Sequence, residues 1–159
     1  FCGTADYLAP EVITDLKTGY DHGVDLWSLG VMMYEMVIGM PPYWDEVALE
    51  MYKKIKEAGP IRFTSSISPA VKDFILRLLQ KRPQDRLGYG NFDDLMMHPM
   101  FSDLDWAAIE AKRVTPPFIP VMANDTDVQY FERQFTDLTP MLTPAIRMDL
   151  RSFAGFTFH

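Results

Sequence analysis

The acidic residue Glu35 lies in the most apolar stretch of the sequence, DLWSLGVMMYEMVIG at residues 25–39. Its apolar side chains cannot all share one stripe of a helix, which predicts a helix buried on every side. A carboxylate on such a helix needs a partner or a cleft, because an isolated charge is costly to bury. Glu35 is therefore expected either to form an internal salt bridge or to face a cleft.

Other residues that commonly do chemistry are sparse. His22, His98 and His159 are isolated and lack the spacing of metal ligands, so no metal site is expected. Cys2 is the single cysteine and cannot form an internal disulfide, which is consistent with a reducing compartment. We expect Cys2 to be a packed loop residue, with a redox-sensitive cysteine as the alternative. The protein is expected to be cytoplasmic, and it can also be nuclear.

The composition restricts the classes of partner. The 159 residues are 48% hydrophobic, which is enough for about one domain with a core. The 22 acidic and 15 basic residues give a net charge of -7, which disfavours nucleic acids and suits basic peptides. No apolar run approaches the roughly 18 residues that a membrane span needs.

Helix signals follow the apolar stretch. Gly39, with two prolines soon after it, is expected to end the first helix. In the next segment, EVALEMYKKIKEAG, Val47, Met51 and Ile55 recur every four residues, which predicts an amphipathic surface helix.

The segment SPAVKDFILRLLQKRP at residues 68–83 predicts a third helix. Ser68 is a suitable N-cap, Pro69 suits the first helical position, and Pro83 should stop the helix. Its apolar face comprises Val71, Phe74, Ile75, Leu78 and Leu79.

Shorter helices are predicted at residues 92–98 and 105–112, and no strand pattern precedes the tail. Residues 1–101 read as helices joined by turns, whereas residues 102–159 become extended and rich in proline. The sequence therefore predicts a mainly α fold with an extended, largely irregular C-terminal tail.

Three motifs in the helical part carry a family resemblance: GTADYLAPE (residues 3–11), DLWSLG (25–30) and RPQDRLG (82–88). Together they resemble the C-terminal lobe of a protein kinase. The tail motifs PPFIP, YFERQFT, LTP and FAGFTF resemble, in order, the C-terminal extension of the AGC serine/threonine kinases. The stretch LTPAIRMDLRSFAGFTF is most similar to fungal relatives of protein kinase B that respond to the TOR pathway. The resemblance implies that residues 1–101 are a kinase C-lobe from the activation loop onward, and that residues 102–159 are the AGC C-terminal domain.

The kinase motifs that handle ATP do not occur in the sequence. There is no Gly-rich phosphate loop, no Val-Ala-Ile-Lys strand, no His-Arg-Asp loop and no Asp-Phe-Gly. In the family these motifs lie upstream of the position of Phe1. We therefore expect the parent protein to use ATP and Mg²⁺, and the 159 residues alone to contain no catalytic or metal-binding residue and to be inactive.

The resemblance gives roles to residues that support the catalytic loop. Thr4 matches a hydroxyl that reaches the catalytic aspartate, and Asp25 matches a carboxylate that accepts backbone N–H bonds from the catalytic loop. The alternatives are an ordinary turn threonine for Thr4 and a local helix cap for Asp25.

The resemblance also places two residues at the protein substrate. Leu8 matches the apolar wall for the residue that follows the phosphorylated one, and Glu35 matches the carboxylate that pairs with an arginine before it. Ala5 and Asp6 replace the usual proline and glutamate, so the pocket is expected to be slightly looser. Glu11 and Arg86 match a buried ion pair, whose alternative is two unrelated surface charges.

The tail motifs carry regulatory expectations. Phe131 and Phe135 match the stretch that crosses the ATP cleft, Thr143 matches the turn-motif phosphosite, and Thr139 is a second site or a decoy. Thr157 matches the phosphosite of the hydrophobic motif. The aromatic residues of that motif are Phe153, Phe156 and Phe158.

The resemblance implies partners as well. These are protein substrates with basic residues upstream of the target Ser or Thr, and an upstream phosphoinositide-dependent kinase and TOR complex. One alternative is a non-catalytic module that occupies the hydrophobic-motif pocket of an upstream kinase. Another is a helical interaction domain whose motif matches arise by chance.

Overall fold

The structure is a computed structural model that describes residues 3–14, 19–63 and 66–142. These ranges contain helices and no strand, which confirms the predicted mainly α fold. The α-helices are α1 (Pro10–Thr14), α2 (Gly23–Ile38), α3 (Ala48–Glu57), α4 (Pro69–Leu78), α5 (Asp93–Met96), α6 (Trp106–Glu110) and α7 (Arg133–Thr136). Short 3₁₀ helices are present at Ala5–Tyr7, Pro83–Asp85 and Pro99–Phe101.

Residue contacts divide the chain into two compact units, Phe1–Arg113 and Val114–His159. Composition and family resemblance predicted a domain boundary after residue 101. The first unit holds the apolar core, and both of its clusters of buried side chains include residues of α2 and α4.

Helix α2 ends as its sequence predicts. Gly39 has a φ of 93°, a left-handed conformation that glycine adopts without a steric penalty, and its N–H donates to the Glu35 carbonyl at 2.7 Å. The helix begins at Gly23, two residues before the predicted start.

The prediction that α2 is buried on every side is wrong for the described residues. One face is buried, but Met32 and Met36 on the opposite face are exposed, Met36 to 69%. The elements that pack most extensively on α2 are α4 and the 3₁₀ helices Ala5–Tyr7 and Pro83–Asp85. They cover one side of α2, so a helix that is apolar all round keeps its other side open.

Helix α4 confirms the third predicted helix. It begins at Pro69 after the N-cap Ser68, and it buries Phe74, Ile75 and Leu78. Gly30 of α2 faces this helix, and a Cβ added there would lie 2.8 Å from Leu79 side-chain atoms. The absence of a side chain at Gly30 therefore allows the two helices to approach closely.

Helix α3 buries Met51 and Ile55, as the periodicity predicts, but Val47 is 55% exposed. Val47 is the N-cap and lies outside the helix, with its N–H bonded to Asp45 Oδ1 at 2.9 Å. Helices α5 and α6 lie within the two shorter segments predicted to be helical.

The described part of the second unit, residues 114–142, is almost entirely exposed. Its order is local: the Asp127 carboxylate accepts the N–H groups of Ala123 at 2.7 Å and Gln129 at 2.9 Å. These hydrogen bonds lower the pKa of Asp127. Polar turns, rather than an apolar core, therefore hold this segment.

Candidate functional site

The first part of the candidate site is an ion pair between Glu11 and Arg86. Arg86 Nη1 lies 2.6 Å from Glu11 Oε1 and Nη2 lies 2.7 Å from Glu11 Oε2, a bidentate geometry. The structure therefore brings together the two residues that the family resemblance paired, although they are 75 positions apart. The Arg86 side chain is fully buried, whereas that of Glu11 is 19% exposed.

Backbone carbonyls satisfy the remaining donors of the Arg86 guanidinium. Nη1 donates to Gly23 at 2.7 Å, Nε to Gln80 at 2.9 Å, and Nη2 to Lys81 at 3.3 Å. The guanidinium also lies over the Trp27 ring, 5.2 Å from its centroid. All five N–H groups have acceptors, which is the condition under which a buried charge is tolerated.

Local sequence explains how the two charges are positioned. Pro10 begins α1, so Glu11 lies in the first turn of that helix, and Ala9 before it is buried. Pro83 begins a 3₁₀ helix, after which the Arg86 N–H donates to the Pro83 carbonyl at 3.1 Å. Two proline-initiated turns therefore orient the two sides of the ion pair.

The second part of the candidate site is a contact between Tyr7 and Glu35. The Tyr7 hydroxyl donates a hydrogen bond to Glu35 Oε2, across 28 positions of sequence. The same tyrosine is held through its backbone, since Ser28 Oγ lies 3.1 Å from the Tyr7 carbonyl oxygen. The hydrogen bond to the Glu35 carboxylate raises the pKa of Tyr7.

This contact was not predicted. The sequence offered an arginine or a salt-bridge partner for Glu35, and a phenol is neither. Within the described ranges Glu35 forms no salt bridge, and its Oε1 accepts no hydrogen bond. No local sequence signal predicts the contacts of Tyr7, because its partners Glu35 and Ser28 are both distant from it along the chain.

Leu8 and Thr4 lie on the same loop. Leu8 follows the 3₁₀ helix Ala5–Tyr7, is partly buried, and has its Cδ2 next to Gly3. Thr4 is exposed and precedes this helix; its carbonyl accepts the Tyr7 N–H at 3.0 Å, but its hydroxyl makes no cap. The predicted roles of Leu8 and Thr4 stay predictions.

Asp25 lies in the first turn of α2 and is exposed. The local cap at this helix end comes from another residue: Asp21 Oδ1 accepts the Gly23 N–H at 2.9 Å, and Asp21 Oδ2 accepts the Tyr89 hydroxyl at 2.6 Å. The Tyr89 hydrogen bond and then the Gly23 hydrogen bond lower the pKa of Asp21. The Asp25 carboxylate has no hydrogen bond from any described residue.

Two of the tail candidates lie among the described residues. Phe131 and Phe135 are about two-thirds exposed, at 67% and 66%. The remaining tail candidates lie outside the described residues: Thr143, Phe153, Phe156, Thr157 and Phe158.

Sequence reasoning also missed the surroundings of His98. Its Nε2 lies 3.0 Å from Asp73 Oδ2, and its Nδ1 accepts the Met100 N–H at 3.2 Å. Because Nδ1 accepts, the ring proton lies on Nε2 and is donated to Asp73. His98 is thus a buried structural residue that joins α4 to the 3₁₀ helix Pro99–Phe101.

The described ranges lack a metal-binding cluster and a membrane-spanning helix. No group of three or more His, Cys, Asp or Glu side chains there could hold a metal ion. Among the helices with described positions, none combines the length and apolar character needed to cross a membrane.

Comparison with protein families gives two matches. The family described as "Protein kinase domain" matches residues 1–101, and the family described as "Protein kinase C terminal domain" matches residues 122–158.

Curated relatives agree with these matches. Serine/threonine-protein kinase gad8 of Schizosaccharomyces pombe is 44% identical over 141 residues, which cover 89% of this chain and 24% of gad8. Serine/threonine-protein kinases YPK1 and YPK2/YKR2 of Saccharomyces cerevisiae are 43% and 38% identical over 165 residues, covering 99% of this chain. The chain spans about a quarter of the length of these relatives. Both family matches and the shared names identify the chain as a member of the protein kinase family, within its AGC group of serine/threonine kinases.

Proposed function

We propose that this chain is the substrate-docking and regulatory part of a kinase that transfers the γ-phosphate of ATP to Ser or Thr of proteins. In this proposal the target residue is preceded by arginine. The observation that carries the proposal is that Glu35 Oε2 accepts a hydrogen bond from Tyr7, whereas Oε1 accepts none from the described residues.

The loop is fixed by the contacts described above. The Glu11–Arg86 ion pair holds the chain just after the loop, and Ser28 and Glu35 hold Tyr7 within it. A loop with fixed backbone and side-chain positions can present a binding surface without a large ordering cost. Leu8 follows Tyr7 directly and offers an apolar contact for the residue after the phosphorylated one.

Glu35 supplies the charge for recognition. The Tyr7 hydroxyl occupies one lone pair of Oε2, while Oε1 accepts nothing from the described residues. A guanidinium can donate to Oε1 and to the second lone pair of Oε2, so Tyr7 orients the carboxylate without blocking it. The net charge of -7 favours the approach of such basic substrates.

ATP and Mg²⁺ are cofactors of the parent kinase by family membership. The residues of this chain do not fit them, because the motifs that hold the phosphates and the metal do not occur in it. We therefore assign no step through ATP or Mg²⁺ to these residues, and we expect the 159-residue chain alone to phosphorylate no peptide.

We also propose that Thr143 and Thr157 are phosphorylated by upstream kinases, a phosphoinositide-dependent kinase and a TOR complex. Both threonines lie in the segment matched by the protein kinase C terminal domain. A phosphate adds nearly two negative charges and can dock on basic residues. The cytoplasmic or nuclear location expected from the sequence belongs to the same proposal.

The test is a kinase assay of the complete gene product with peptides that differ at one upstream position, arginine or alanine. We expect Glu35→Gln to lower the preference for arginine about tenfold to a hundredfold, the size of a lost charged hydrogen-bond pair. Glu50→Gln, an exposed change on α3, is the matched control and should keep the preference. An unchanged preference in Glu35→Gln would refute the assigned role, and an inactive gene product would refute the proposed reaction.

A further inference from the structure

We propose that the groove between α5 and α6 binds a basic amphipathic segment of a partner protein. The groove measures about 500 Å³ and lies within the first unit of the chain. Its lining residues are Phe92, Leu95, Met96, Trp106, Ala107, Ile109 and Glu110. None of them belongs to the proposed substrate site, so the inference does not depend on the proposed kinase activity.

The groove is held in shape by contacts between its walls. Trp106 Nε1 of α6 donates to the Met96 carbonyl of α5 at 2.9 Å, which joins the two helices directly. The Trp106 ring packs edge-on against Phe101, with 5.3 Å between ring centroids, and Phe101 packs in the same way against Phe74 of α4. A site formed in advance loses little conformational entropy when a ligand binds.

The lining is apolar and partly open to solvent. Every lining residue except Glu110 is apolar or aromatic. Phe92 is 59% exposed and Ile109 is 38% exposed, although both lie beside the buried Leu95 and the partly buried Trp106. Covering such side chains removes apolar surface from water, at about 25 cal/mol per Å².

Charge identifies the chemistry of the occupant. Residues 87–113 contain five acidic residues and two basic residues, Lys112 and Arg113, so they account for -3 of the total -7. The acidic residues are Asp93, Asp94, Asp103, Asp105 and Glu110, all of them exposed. None of the ion pairs among the described residues involves any of them.

An apolar groove that has Glu110 in its lining, and Asp93 and Asp94 on one of its two helices, complements a helix with leucine-like residues on one face and Lys or Arg on the other. An acidic peptide or a nucleic acid would meet like charge at these residues. A second copy of the chain also carries -7 and is repelled. The apolar lining and the acidic residues therefore both favour a basic amphipathic segment as the occupant.

The experiment measures binding of a fluorescent peptide to the 159-residue chain by anisotropy. The peptide has about 18 residues of leucine and lysine, with the leucines at helical spacing. One control peptide has the same composition with the leucines out of that spacing, and another has glutamate in place of lysine. We expect saturable binding of the first peptide only.

Matched variants locate the binding. The first triple variant removes charges near the groove: Asp93→Asn/Asp94→Asn/Glu110→Gln. We expect it to weaken peptide binding about tenfold. The control triple variant, Glu46→Gln/Glu50→Gln/Glu57→Gln, changes the net charge equally and should leave peptide binding within about twofold. Phe92→Ser/Ile109→Ser should weaken it about tenfold, and Leu49→Ser, another exposed apolar position, should not. Circular dichroism checks that each variant is folded.

Three results would overturn the proposal. One is the absence of saturable binding to the wild-type chain. Another is equal weakening by both triple variants, which would indicate attraction to net charge alone. The third is self-association through Phe92 and Ile109 in sedimentation, which would make a second copy the occupant.

Discussion

Two carboxylates hold the loop that contains Tyr7 and Leu8, and they differ in how completely they are used. Around Glu11, both oxygens pair with Arg86, whose five N–H groups all have acceptors inside the protein. Around Glu35, one oxygen accepts a phenol and the other accepts nothing from the described residues.

The difference suggests separate roles, a structural one for Glu11 and a recognition role for Glu35. A carboxylate whose two oxygens both accept from a buried guanidinium has less left to offer a ligand, and its loss leaves a buried charge unpaired. A carboxylate that a neutral phenol holds in place keeps its charge and its open oxygen. The Arg86 region therefore suits a structural role, and the Glu35 region suits the substrate contact proposed above.

The largest expected effect comes from breaking the buried pair. Arg86→Met should lower the free energy of unfolding by about 3–5 kcal/mol, because the Glu11 carboxylate loses its partner. Glu11→Gln should also destabilise, and the double variant should lose about 1–3 kcal/mol less than the sum of the two single variants. Urea unfolding of the four proteins measures the coupling.

Glu50→Gln is the control for this cycle, since Glu50 forms only an exposed pair with Lys53 at 3.8 Å. It should change stability by less than about 0.5 kcal/mol. Additive effects of Arg86→Met and Glu11→Gln would mean that the two side chains do not interact, and the contrast between the two regions would disappear.

The ends of the main helices were predictable because their signals are local. Ser68 and Pro69 mark the start of α4, and Gly39 marks the end of α2. The pairing of Glu11 with Arg86 was expected only through the family resemblance. No spacing rule connects two residues so far apart, and the backbone carbonyls that complete the Arg86 site have no side-chain signal at all.

The contacts of α2 show what the sequence left open. An apolar pattern states which side chains can be buried, but not which of them meet a neighbour, so the exposure of Met32 and Met36 was missed. The partner of Glu35 was missed because an oppositely charged side chain was expected to pair with it. A phenol satisfies a carboxylate through a hydrogen bond alone, and that depends on tertiary placement of Tyr7.

A smaller effect is expected when the open carboxylate is neutralised. Glu35→Gln keeps the size of the side chain, and its amide oxygen can still accept the Tyr7 hydroxyl. We expect the free energy of unfolding to change by about 0.5 kcal/mol, as for ordinary surface substitutions. Urea unfolding of Glu35→Gln and Glu11→Gln under the same conditions compares the two losses of unfolding free energy. Equal losses in the two variants would mean that Glu35 is a structural residue like Glu11.

The smallest effect is a change in the titration of Tyr7. Its pKa is raised because the neutral phenol donates to Glu35, and deprotonation would both break that bond and place a phenolate beside a carboxylate. Glu35→Gln removes the neighbouring charge, so the pKa of Tyr7 should fall toward its ordinary value. NMR titration of labelled tyrosines measures it, with Tyr7→Phe to assign the signal and Glu50→Gln as the control. A Tyr7 pKa that is the same in Glu35→Gln and in the wild type would show that the phenol does not donate to this carboxylate, and Glu35 would then lose the contact that orients it.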